Sequence, residues 1–449
     1  MVNSDKDGTI RMPEAAERFV QDVLGRIKAK EMKPEIEAEL RDHLLSRMEE
    51  HTDRGRNEDE AAHEAVRQMG ASSIVAEQMN RIHRPRIPWL LWSSLVIWIG
   101  FSLFGLFLLQ SEPGGQNSAG LGTKSVIYVL LGILCFVAGM LIDYRRLLRL
   151  APWMYGGMAI MLVWTEWDMA VRINGMTFWV MGSVAIDVYM LSPFLFLIAI
   201  YAMLSDRSAR TRRYAKLMPY ALIVLPVLLY VSDGRYKELL IYGLGMIVVL
   251  MQLRCRPAVW WKLAACAAGG GVLLWMTSDT VRFVFGRRMQ EWIAFLGGTV
   301  ERDSDGGFVM QEIRRSVQHA GWFGHENGQT LTLPFLHSDY LSVYLVHTAG
   351  WSAGLLLLGS MGVLLYSVYR DRAARRIRHT FGRGLACLIA VLAGAHFLLA
   401  LGGLFGLVPM NGLDLPLFGY GGTQMLLWMS LFGLFSGIYR RKDMLPQTS

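Results

Sequence analysis

Ten stretches of this chain run for 15 to 30 residues without a charged side chain. They are Pro88–Ser111, Ser125–Ile142, Leu150–Thr165, Val188–Ser205, Leu217–Ser232, Leu239–Leu253, Leu263–Ser278, Tyr340–Tyr369, Gly384–Leu413 and Leu415–Tyr439. About 20 mostly apolar residues in a helix cross a bilayer core of about 30 Å. A soluble core can bury one or two helices of this kind, but not ten. The expected fold is therefore all-α: a polytopic membrane protein with about ten transmembrane helices.

The charges that remain are unevenly placed. Residues 1–87 hold 15 Lys/Arg and 18 Asp/Glu, a net of −3, while the other residues hold 30 and 19, a net of +11. The chain thus divides into a charged prefix over 1–87, a membrane domain over 88–442 and a short tail over 443–449. The first apolar run lies behind the charged prefix, so no signal peptide is expected. A fully soluble enzyme, a disordered chain and a secreted disulfide scaffold are all excluded. The four cysteines, Cys135, Cys255, Cys266 and Cys387, show no paired spacing and read as small apolar filler.

Orientation follows from the short connections between runs. With the prefix in the cytoplasm, the inside loops carry 20 Lys/Arg and the short outside loops carry four: Lys124, Arg172, Arg235 and Lys237. Both termini are expected in the cytoplasm. The basic balance reflects topology and anionic lipid, and no nucleic-acid partner is expected. One outside loop is long, about Asp279–Ser338, and long loops are usually functional.

The prefix reads as a small helical domain. Phe19, Val23 and Ile27 recur at spacing four, and Ile36, Leu40, Leu44, Leu45 and Met48 share a second helix face. Asn57 followed by Glu60 is a capping box, and Gly70 is a helix stop. His43, His51 and His63 are expected on the surface. The stretch resembles the permease-prefix domain found ahead of membrane proteins of Gram-positive bacteria. That resemblance implies a docking or regulatory module.

The distinctive residues lie in and beyond the long loop. They are Arg288; Gly306-Gly307-Phe308; Gly321-Trp322-Phe323-Gly324; Pro334-Phe335-Leu336-His337-Ser338-Asp339-Tyr340; Ala349-Gly350-Trp351; and the run from Gly406 to Thr423, which contains Pro409, Gly412, Pro416 and Gly419-Tyr420-Gly421-Gly422. An acid at the edge of an apolar run is partly desolvated, which raises its basicity. Asp339 occupies such an edge; a helix-capping role is the structural alternative. His337 could orient Asp339, touch substrate or simply lie at the interface. Arg287, Arg288, Arg314 and Arg315 could bind diphosphate or form the solvated face of an amphipathic helix. The 419–422 run permits close backbone approach, and Pro409, Gly412 and Pro416 suit a re-entrant turn.

In this order the motifs resemble the SEDS family, the FtsW/RodA/SpoVE proteins, over about residues 90–440. The family pattern runs from an Arg before the loop through "LPE-x-HTDF" and "EELG" to "GLLP-x-TG-x-LPF-x-SYGGS". The resemblance implies a glycosyltransferase that polymerises lipid-linked disaccharide (lipid II) on the outer face of the cytoplasmic membrane, in division, elongation or sporulation. It implies Asp339 as base, with His337, Arg288, Tyr420, Gly421 and Gly422 at the substrate, and a class B penicillin-binding protein as partner. A divalent cation could stabilise the leaving diphosphate; no metal ligands are assigned. Two departures stand out. His347-Thr348 replaces the family's acid pair, and around Trp179 and Ser192-Pro193 the expected cations are missing while Asp187 is present. A non-catalytic scaffold on the same fold is therefore the alternative. A lipid-linked sugar flippase, suggested by Asp187 and Glu166, ranks third.

Overall fold

The computed structural model describes residues 12–28, 33–82, 87–111, 120–167, 170–173, 176–181, 184–205, 218–297, 305–324, 331, 333, 335–373, 377, 379–404 and 415–442. The chain forms two compact units: one of Met1–Ile87 with Arg376–His379 and Arg440–Ser449, the other of Pro88–Arg375 with Thr380–Tyr439.

The first unit contains four helices: α1 (Glu14–Arg26), α2 (Lys33–Asp53), α3 (Glu58–Met69) and α4 (Ser72–Ile82). The apolar stripes face inward. Val20, Val23, Leu40, Leu44, Ala61 and Ala65 are completely buried. The Asn57 side chain accepts from the Glu58 N–H at 2.7 Å at the start of α3, and Gly70 ends that helix with φ 86°. Asn80 of α4 closes the end of α1. Its Oδ1 accepts from Lys28 N–H and its Nδ2 donates to the Arg26 carbonyl. His43 and His63 are exposed, but His51 is buried, contrary to the expectation from sequence. It occupies the last turn of α2, where Leu40, Leu44 and Met48 have already turned the helix toward the core.

The second unit holds α5 (Trp89–Gln110), α6 (Leu121–Leu141), α7 (Arg146–Trp167), α8 (Val188–Ser205), α9 (Met218–Ser232), α10 (Tyr236–Gln252), α11 (Pro257–Thr277), α12 (Asp279–Gly297), α13 (Asp305–Gln318), α14 (Leu341–Ala373), α15 (Thr380–Leu404) and α16 (Gly422–Arg440). Apart from α12 and α13, each of these helices overlaps one of the ten charge-free runs. Among the described residues seven helices are long and apolar enough to cross a membrane: α5, α6, α7, α8, α11, α14 and α15. The long loop carries α12 and α13. A small antiparallel sheet lies between α7 and α8, with strands β1 (Ala170–Ile173), β2 (Met176–Met181) and β3 (Val184–Ile186) in the order β1-β2-β3. The reading from charge-free runs passed over it, although Asn174-Gly175 between β1 and β2 is a hairpin signal.

Small residues let α6 and α16 touch along their backbones. A Cβ on Gly433 would lie 2.2 Å from the Phe136 carbonyl oxygen, and one on Gly437 would lie 2.7 Å from that of Met140. This close pairing brings the start of α16 beside Tyr128 of α6, where the site begins.

Candidate functional site

Two segments distant in sequence form the site, and main-chain groups join them. The turn over 335–339 is closed by N–H groups of Ser338 and Asp339, both donating to the Phe335 carbonyl at 3.0 Å. Tyr420 N–H donates to the His337 carbonyl at 2.7 Å. Gly419 sits against the same turn with φ 96°. A Cβ there would lie 2.3 Å from the Ser338 carbonyl oxygen, so both its conformation and its surroundings require glycine. Residues of α5 hold the second segment from behind. Gly419 N–H donates to Ser102 Oγ at 2.9 Å, and Trp98 Nε1–H donates to the Pro416 carbonyl at 2.6 Å. Gln424 of α16 ties back to the Leu415 carbonyl at 3.0 Å.

This joint brings three rings into a row, each inclined to the next. His337 lies 5.7 Å from Tyr420 between ring centroids, and Tyr420 lies 5.5 Å from Tyr128. A Cβ on Gly422 would meet the Tyr128 ring at 2.7 Å, so the Gly421-Gly422 step lets the ring approach the start of α16. Burial in the turn pushes His337 below the usual histidine value of 6.5, which keeps the imidazole neutral near pH 7. Asp339 is half-buried two residues before α14. The site therefore offers a neutral imidazole, a tyrosine hydroxyl and a carboxylate at the entrance to an apolar helix.

A second joint supports the first. The Tyr340–Tyr369 run is not one straight helix, because Gly350 breaks α14 with φ 77° and ψ −173°. The new helical start is capped by the loop: Trp351 and Ser352 N–H groups donate to the Gly321 and Trp322 carbonyls at 2.9 and 3.1 Å. Here three glycines meet. A Cβ on Gly350 would lie 2.5 Å from Gly321 O and Gly324 N, and one on Gly324 would lie 2.6 Å from Thr348 O. Between the two joints, α13 packs on the start of α14, with Ile313, Leu333, Tyr340 and Val343 forming a cluster.

Other sequence candidates fall elsewhere. Arg287, Arg314 and Arg315 are exposed on α12 and α13. The side chains of Arg288 and Glu166 lie outside the described residues, as do Pro409 and Gly412. His347 is half-buried in the first half of α14, and the neighbouring Thr348 carbonyl serves the glycine joint. Asp187 is paired, with Arg235 Nη1 at 3.4 Å; Arg235 also meets Asp233 at 3.0 Å and Glu238 at 4.0 Å, and its guanidinium lies 4.6 Å from the Tyr189 ring centroid. Among the described residues no group of three His, Cys, Asp or Glu side chains could hold a metal ion. Sequence reasoning missed Trp98, Ser102 and Tyr128, because one residue in a uniformly apolar run carries no periodic signal.

A family model for the cell cycle proteins FtsW/RodA/SpoVE matches residues 87–444. The chain belongs to this family. It is an integral membrane protein. The probable peptidoglycan glycosyltransferase FtsW of Thioalkalivibrio sulfidiphilus is 25% identical over 358 residues, 75% of this chain and 86% of that protein. A chain of a solved peptidoglycan synthase complex superposes with a TM-score of 0.60 at 22% identity, covering 79% of this chain and 98% of that one. The Thermus thermophilus rod shape determining protein RodA superposes at 0.52 and 20% identity, covering 78% and 96%. These FtsW/RodA/SpoVE likenesses agree with the predominantly helical membrane architecture built up above.

Proposed function

We propose that this chain is a peptidoglycan glycosyltransferase that joins lipid-linked disaccharide units on the outer face of a bacterial cytoplasmic membrane, with both termini in the cytoplasm. The observation that carries the reading is the joint between His337 and Tyr420, which assembles His337, Asp339 and the Tyr420-Gly421-Gly422 run at the entrance to α14. Names borne by relatives of the same family support it. In the proposed step the Asp339 carboxylate takes the proton of an acceptor sugar hydroxyl. That oxygen bonds to the anomeric carbon of the donor, the bond from this carbon to the diphosphate oxygen breaks, and the lipid diphosphate leaves with the electron pair. His337 and Tyr420 would contact the sugar through the neutral ring and the hydroxyl. Arg288 is proposed to meet the diphosphate. A divalent cation would supply positive charge to the leaving diphosphate. A class B penicillin-binding protein is the proposed partner, and the four-helix prefix is proposed as a cytoplasmic docking module.

The test is polymerisation of lipid II by the full chain with its partner, comparing wild type with Asp339→Ala and Asp339→Asn. Loss of about 100-fold or more in rate with an unchanged unfolding midpoint is expected, the scale of one general base. Equal rates would remove Asp339 from the chemistry. No product from wild type would favour a scaffold. That second reading rests on one observation: Arg235, which reaches Asp187 in the segment lacking the family's cations, is neutralised by Asp187, Asp233 and Glu238. A scaffold would lose function on deletion of residues 1–87 but not on Asp339→Ala.

A further inference from the structure

The apolar run Leu341–Arg370 has 30 residues, about 45 Å as a straight helix at 1.5 Å per residue. A hydrocarbon core takes about 20 residues. The run is too long for one crossing, and the chain breaks it at Gly350. Counted back from Arg370, the segment beginning at Trp351 is the length that crosses. The break therefore lies at a boundary of the hydrocarbon core.

The turn Gly321-Trp322-Phe323-Gly324 is fixed at that depth. Its carbonyls at Gly321 and Trp322 accept the first N–H groups of the crossing segment, at 2.9 and 3.1 Å. Gly350 leaves no room for a Cβ, with Gly321 O and Gly324 N both 2.5 Å from where one would be. The backbone is thus locked, yet the two side chains leave the protein. Trp322 is 68% exposed and Phe323 is 89% exposed. Two large apolar rings pointing outward at the depth of the headgroups match the residues that collect at membrane interfaces, where an indole can keep its ring in an apolar layer and its N–H in a wet one. The charged side of the loop lies elsewhere: α13 buries Ile313 and exposes Arg315.

We propose that the Trp322–Phe323 turn is a membrane-interface anchor, its rings seated among phospholipid headgroups and the first acyl carbons. Through the Gly321–Gly350 joint the anchor holds the α13–α14 segment, and with it His337 and Asp339, at headgroup level. Phospholipid is the occupant because the turn is continuous, by hydrogen bonds, with the first turn of a membrane-crossing helix. The inference needs α14 to cross the membrane and does not need the glycosyltransferase reading.

The test places a spin label at one position of the full chain in phosphatidylethanolamine–phosphatidylglycerol vesicles. Cys135, Cys255, Cys266 and Cys387 are first replaced by alanine. Nitroxide is attached at Phe323→Cys, at Trp322→Cys or, as the water reference, at Arg315→Cys. Collision with oxygen, which concentrates in lipid, is compared with collision with a water-soluble nickel chelate. Labels at 322 and 323 should favour oxygen severalfold over the label at 315. Nickel collision as frequent at 322 and 323 as at 315 would put the turn in water and overturn the proposal. Weak collision with both reagents would mean that protein covers the turn, and would overturn it equally. Only variants that elute as a single species with the parent's unfolding midpoint are read, and the two anchor positions give the reading independently.

Discussion

At the joint between 337 and 420, main chain meets main chain: Tyr420 N–H on the His337 carbonyl, Gly419 against the Ser338 carbonyl. Around Arg235, side chain meets side chain, with three carboxylates about one guanidinium that is 5% exposed. Both assemblies stand just before apolar helices. The difference decides what each can do. A backbone joint fixes a position through main-chain groups, and the side chains of His337 and Asp339 stay half-buried there. A charge cluster turns its ionisable groups on one another, which makes it a fastening for α8 and α10 and leaves Arg235 no charge to offer a diphosphate.

The largest break in this contrast should come from Arg235→Ala. It leaves Asp187, Asp233 and Glu238 without their shared cation, and removing one partner of a buried pair costs about 3–5 kcal/mol. Thermal unfolding in detergent would read it; a loss below about 1 kcal/mol would mean that the cluster is not a closed unit. Gly419→Ala comes next. Its positive φ and the 2.3 Å approach to Ser338 O combine backbone strain with overpacking, about 2–4 kcal/mol together. Polymerisation should fall with it, since the His337 turn must move. Gly422→Ala tests whether backbone is the stiffer neighbour. The added Cβ meets the Tyr128 ring at 2.7 Å, and a ring can swing away, so about 1 kcal/mol is expected. A cost as large as that at Gly419 would dissolve the distinction.

The smallest effect is a pH dependence. Burial holds His337 below its ordinary value of 6.5, so the unfolded chain takes up the proton first as pH falls. The stabilisation is complete above about 6.5 and declines below it. The unfolding midpoint measured from pH 7.5 to 5.5 should fall less steeply in His337→Gln than in wild type. An identical profile would mean that the ring titrates as if in water.

Much of the helical frame was legible, and for a plain reason: each crossing must be long and nearly free of charge, so α5, α6, α8 and α15 declare themselves residue by residue. The sheet at β1–β3 was not legible in that signal, because short alternating strands do not lower charge density. The fate of His51 was likewise hidden, since a polar residue at the last turn of an amphipathic helix can face either way. At the candidate site, Asp339, His337 and Tyr420 were visible as motif residues, but nothing in the order of letters said that they meet. Trp98 and Ser102 were invisible, being two more residues of α5, although they hold Pro416 and Gly419 in place.

Sequence by itself determined that the chain is a membrane protein of ten apolar runs with a charged helical prefix, because burial in lipid acts on every residue of a run and leaves a compositional mark. Only the tertiary structure decided that Gly350 ends one helix and begins another, that Gly419 must lack a side chain, and that Asp187 answers to Arg235. Each of these depends on one atom's distance to a segment far away in the chain, and such distances leave no local pattern.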